Sequence, residues 1–111
     1  MPIFITQGRY SQSAIKGMVA KPEDRAEAVA ELARKAGGKL LHYWVTLGEY
    51  DFLVVFDMPS HKEASAAMLA AGAGGGITDF RTTLAMTSAE AKAVFGAAGG
   101  LAASFHSAGA G

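Results

Sequence analysis

Five apolar residues in a row, Phe52-Leu53-Val54-Val55-Phe56, follow closely on a turn at Gly48-Glu49. β-Branched and aromatic residues at this density predict a strand. Successive side chains of a strand point to opposite faces, so this one is apolar on both. Leu40 to Leu47, before the turn, predicts a second strand. Two strands joined this tightly pair only as an antiparallel hairpin. The opening of the chain, Ile3-Phe4-Ile5-Thr6, repeats the two-faced pattern in a strand expected over Ile3 to Tyr10.

Helical patterns flank the hairpin. Pro22, Glu23 and Asp24 suit a first helical turn. Val29, Leu32, Ala33 and Ala36 make one apolar stripe, and Gly37-Gly38 ends it. Ser60 with Glu63 reads as a capping box before the stripe Ala64, Ala67, Met68 and Ala71. Glycines 72, 74, 75 and 76 separate that helix from a fourth strand, Ile77 to Met86. Thr87 with Glu90 repeats the capping pattern ahead of Ala91, Val94, Phe95 and Ala98. Ser11 or Ser13 suits the cap of a further short helix carrying Ile15, Met18 and Val19. The order β-α-β-β-α-β plus a terminal helix predicts an α+β ferredoxin-like sandwich. Right-handed crossovers put the first and third strands in the centre and the second and fourth on the edges. The domain is expected over residues 1–95. Residues 96–111, of which 11 are Ala or Gly, are expected to form a flexible tail.

Both helices of this fold cover one sheet face, yet the central strands are apolar on two. Composition sharpens the point. Of 111 residues, 23 are Ala and 14 Gly, leaving only 33 larger apolar side chains. A second copy of the chain is therefore expected on the open face, sheet to sheet. A face of roughly 600 Å² gains roughly 15 kcal/mol gross at the usual apolar coefficient, before association costs.

Ten basic and ten acidic residues leave no net charge, so no footprint for nucleic acid is expected. There are no cysteines, hence no disulfide, thiolate or Cys-based metal site. His42, His61 and His106 are scattered without metal-ligand spacing, so no metal and no cofactor are expected. No stretch of about 18 apolar residues exists, and Met1-Pro2-Ile3-Phe4 does not open a signal peptide. A cytoplasmic location without membrane contact is the expectation.

The hairpin Thr46-Leu47-Gly48-Glu49-Tyr50-Asp51-Phe52 resembles the Gly-x-Tyr-Asp signature of the GYD domain family. The opening strand, Met1 to Tyr10, and Gly37-Gly38-Lys39-Leu40 are similar to that family as well. The resemblance spans roughly residues 1 to 95. It implies a dimeric α/β barrel in which two ferredoxin-like sheets pack face to face, in agreement with the burial argument. Similar hairpins in the ligand-sensing domain of leucine-responsive-type regulators lie near an inter-subunit effector site. That analogy implicates Gly48, Tyr50 and Asp51. No DNA-binding region is expected within these 111 residues, so a regulator's function is not expected to transfer, and a shared fold is not an activity.

Read physically, Gly48 permits positive φ in the turn, Asp51 accepts backbone N–H groups, and Tyr50 keeps its hydroxyl free for a partner. The competing reading is a well-made hairpin that fixes register and assembly. Alternation puts Leu40, His42, Trp44 and Thr46 on one face of the second strand, and Leu41, Tyr43, Val45 and Leu47 on the helix-facing side. His42 and Trp44 then look into the subunit cleft, where His42 is the candidate general base or ligand, against a structural hydrogen-bonding role. Asp79, Arg81 and Thr83 share a face of the fourth strand. Arg9 and Arg81 together suit a carboxylate or phosphate, against ion pairing with nearby carboxylates. Three functions follow. The foremost is a homo-oligomeric small-molecule-binding or assembly module. The alternatives are a ring-forming structural protein joined through edge strands, and a small monooxygenase- or isomerase-like barrel enzyme using His42 and Arg81.

Overall fold

In the computed structural model, residues 1–109 are described. They form β1 (Ile3–Tyr10), α1 (Gln12–Ala20), α2 (Ala26–Lys35), β2 (Lys39–Val45), β3 (Phe52–Asp57), α3 (His61–Ala73), β4 (Ile77–Ala85) and α4 (Ser88–Ala102). One antiparallel sheet runs β2-β3-β1-β4, with the two most apolar strands in the centre as expected. Phe4, Thr6, Phe52, Val54 and Phe56 point to one side and are buried. They meet Ala33 of α2 and Ala64, Ala67 and Met68 of α3. Thr6, the buried polar member, is satisfied by Thr82 through a 2.9 Å hydroxyl pair.

Two local departures follow from backbone chemistry. Pro22 lies ahead of α2 rather than in its first turn; Asp24 accepts the N–H of Ala26 at 2.9 Å and starts the helix there. On β2 the strict alternation fails. The register skips between Leu40, opposite Phe56, and His42, opposite Val55. Leu41 is the extra residue of a bulge, so Leu40 packs on the core with Tyr43 instead of sharing the face of His42. A second irregularity sits between Gln7 and Arg9, where β4 brings Asp79 to φ 49° opposite Gly8. There Gly8 leaves room for Phe52 and Phe80, whose atoms would lie 2.7 and 2.9 Å from an added Cβ.

Gly37, at φ 90°, ends α2, and Gly38 passes so close to β3 that a Cβ would stand 2.2 Å from the Asp57 carbonyl oxygen. The terminal helix carries the full capping box expected of Thr87 and Glu90. It runs on to Ala102, past the expected domain boundary at residue 96. No residue of α4 is buried. It projects from the body, giving extents of 62 × 31 × 22 Å and a radius of gyration of 17.9 Å. A compact chain of this length has about 13 Å. None of the described helices is long and apolar enough to cross a membrane.

Candidate functional site

The face of the sheet away from the helices is open. Pairing across it sets Trp44, Leu53, Gln7 and Arg81 in one row, and His42, Val55, Ile5 and Thr83 in the next. Its centre is apolar and its edges polar. On the β2 edge His42 and Trp44 stack, with ring centroids 4.8 Å apart and planes 8° from parallel, and half of Trp44 is exposed. Arg81 stands on the opposite edge, three strand spacings or about 14 Å away. His42 and Arg81 therefore do not converge within one chain, as the enzyme reading requires. Arg9, Glu49, Tyr50, Asp79 and Arg81 instead gather around a shallow recess at one end of the sheet. Among the described residues neither arginine makes a salt bridge.

The hairpin motif is built differently from expectation. Gly48 does not carry the positive φ; Leu47 does, at 45°. A Cβ on Gly48 would meet nothing within 4 Å. The loop closes through Thr46, whose backbone N–H donates to the Asp51 carbonyl at 2.8 Å and whose hydroxyl donates to the Tyr50 carbonyl at 2.6 Å. Asp51 turns inward. Its N–H donates to the Gly8 carbonyl at 2.8 Å, and its carboxylate accepts the Tyr10 N–H at 2.9 Å. Asp51 thus straps the end of β1, across from the bulge of β4, and sets where Tyr10 leaves the sheet.

Tyr10 was not among the candidate residues, and neither was Tyr43. Their hydroxyls are hydrogen-bonded to each other on the helix side of the sheet. Phe52 lies between them, 5.4 Å from the Tyr10 ring and 6.2 Å from the Tyr43 ring, centroid to centroid. These rings border a cavity of about 450 Å³ lined from α1, α2, α3 and the sheet. The sequence signal was alternation itself, which sets Tyr43 on the helix-facing side of β2 and Tyr10 in step with Phe4 and Thr6 on β1.

Burial, and next the bond to Tyr10, raise the Tyr43 pKa well above the ordinary tyrosine value. Folding therefore favours the protonated phenol. Its stabilisation is complete below the unfolded pKa of roughly 10 and is lost as pH rises from there toward the folded pKa. Thermal melts across roughly pH 9 to 11 should show a steeper fall in Tm for the wild type than for Tyr43→Phe. Parallel profiles would contradict the burial of this hydroxyl.

The GYD domain profile matches residues 4–95. No curated protein matches the chain. Among solved structures the chain is similar to MtbAldR, with TM-score 0.55 and 9% identity over 78% of this chain and 52% of that one. It thus spans about half of MtbAldR's length. TTHA0845 from Thermus thermophilus is similar with TM-score 0.50 and 15% identity, over 78% of this chain and 95% of that one. At these identities the likeness is one of fold.

Proposed function

The chain belongs to the GYD domain family, and from that premise we propose that it is a homo-oligomeric small-molecule-binding module whose copies pack sheet to sheet. The open face carries this reading. Ile3, Ile5, Leu53 and Val55 form its centre, and among the described residues no element lies over them as α2 and α3 lie over Phe4, Val54 and Phe56. A second copy is the occupant that fits best. The chain has ten positive and ten negative side chains, so two copies meet without net repulsion. A face of roughly 600 Å² approaches the roughly 800 Å² per partner of a standard stable interface. The projecting α4, with Val94 and Phe95 exposed, supplies further apolar surface for the neighbour. Sheet-to-sheet packing places the His42–Trp44 stacks and the Arg9–Arg81 recesses of both copies at one interface, which gives a ligand apolar walls with cations beside them.

Native mass spectrometry and size-exclusion light scattering on gently purified protein test this at micromolar concentration. The expected result is a dimer or a multiple of it. Val55→Glu puts an unpaired charge in the centre of the face and should yield folded monomer by circular dichroism, whereas Val55→Ala should stay associated. A reproducible added mass on the oligomer supports the ligand; a wild-type monomer overturns the reading.

A further inference from the structure

The helix side of the sheet holds something the assembly reading does not use. The cavity of about 450 Å³ is walled mainly by apolar groups, among them Val29 and Leu32 of α2, Met68 and Ala71 of α3, and Ile77. Its origin is compositional. From α3 the lining is Met68 with the small Ala70 and Ala71, and from α1 it is Ala14, Gly17 and Met18. Small side chains leave the space unfilled. An apolar cavity of roughly 150 Å³ already stays dry and admits benzene, and known ligand pockets begin at roughly 300 Å³.

The polar groups in the cavity are few and specific. The Tyr10 and Tyr43 hydroxyls are bonded to each other. Two phenols own two O–H protons, and their mutual bond uses one. No acceptor among the described residues takes the other. Glu23 and Arg25, which also line the cavity and are partly exposed, neutralise each other through a 3.2 Å ion pair. The site therefore offers an aromatic wall from Tyr10, Phe52 and Tyr43, one spare hydrogen-bond donor, and no uncompensated charge.

We infer that this cavity binds an uncharged, largely apolar small molecule bearing one acceptor oxygen, of the aromatic ketone class, with the spare proton of the Tyr10–Tyr43 pair donated to that oxygen. A phenol of ordinary acidity is already protonated at neutral pH, and the raised pKa of Tyr43 extends that range upward. Asp51 is a positioning residue for this site, because it holds the backbone of Tyr10. The cavity lies within one protomer, so the inference stands or falls separately from the sheet-to-sheet assembly.

The probes are acetophenone and acetonaphthone, each against its hydrocarbon counterpart, ethylbenzene and ethylnaphthalene, titrated by amide NMR on the full chain. The expected result is perturbation at the amides of Tyr10, Tyr43 and the α1 and α3 lining, with the ketone about five-fold tighter than the hydrocarbon. Either single Phe variant leaves one hydroxyl to donate and should keep the preference. Tyr10→Phe/Tyr43→Phe removes both partners while keeping their shape, a change close to neutral for folding, and should reverse the preference, because the ketone oxygen is then buried without a donor. Ala71→Leu fills the space and should weaken ketone and hydrocarbon alike. Equal binding of the two by the wild type, a preference that survives in the double variant, or perturbation confined to the open-face amides around Trp44 would each overturn the inference. So would no binding of any probe at its solubility limit.

Discussion

Gly38→Ala should lower the unfolding free energy by about 3 kcal/mol or more, while Gly48→Ala should change it by no more than about 0.5 kcal/mol. The two glycines are alike in sequence terms, each at the junction of a loop and a strand. Their surroundings differ completely. A Cβ on Gly38 would lie 2.2 Å from the Asp57 carbonyl oxygen and 2.5 Å from the Met58 sulfur. The sulfur is the flexible partner, but Met58 is itself almost wholly buried and has little room to retreat. The oxygen is backbone, and moving it separates β2 from β3, the hairpin on which the sheet is built. Around Gly48 there is nothing within 4 Å, and its φ is not in the left-handed region. Urea unfolding of both variants checks the contrast. Equal midpoints would mean that the close approach at Gly38 is not maintained in solution.

Phe56→Ala should cost about 3–5 kcal/mol, a large part of the roughly 5–15 kcal/mol that holds a domain of this size. Phe56 is 1% exposed and stands opposite both Phe4 and Leu40 in the sheet. Its ring stacks on Phe4 with centroids 6.2 Å apart. The helices above present Ala33, Ala64 and Ala67, which are too short to collapse into the space a lost ring leaves. The penalty should therefore sit at the upper end of that range. Leu53→Ala is the natural comparison. Leu53 lies on the open face and is only partly buried in one chain, so its truncation should act chiefly on association. Equilibrium unfolding of both variants, with oligomeric state monitored, separates the two faces. A Phe56→Ala loss no greater than that of Leu53→Ala would contradict the one-sided core.

The order of elements was legible because each is announced by local chemistry. Thr87 and Glu90 cap α4 reciprocally, as their spacing predicts. The two-faced apolar strands occupy the centre, as the crossover rule requires. What sequence could not supply was phase. Alternation along β2 is a sound rule until a bulge intervenes, and nothing in Lys39-Leu40-Leu41-His42 announces one. The rule therefore placed His42 and Trp44 on the correct face but Leu40 on the wrong one. The turn showed the same limit. Gly48 is the residue best suited to positive φ, yet Leu47 adopts it, because closure through Thr46 and Asp51 dictates the path of the loop. The Tyr10–Tyr43 pair joins residues 33 apart in sequence, and only the folded register brings them together. Arg9, Arg81, His42 and Trp44 were singled out in the sequence, but the stacking of His42 on Trp44 and the separation of both from Arg81 across the sheet belong to the folded chain.

The strap from Asp51 to Tyr10 changes how the hairpin signature is to be understood. A motif displayed on a surface turn invites the idea that it touches whatever the protein recognises. Here its acidic residue faces inward and grips main chain. Main chain has no identity, so the grip is indifferent to which side chain follows it. Any residue standing tenth in a relative built this way would be delivered to the same point under the helices. On the inference that the cavity beside Tyr10 binds a ligand, the signature works as an address and leaves the message to another position. Two proteins sharing it would agree on where recognition happens, and would be free to differ in what is recognised.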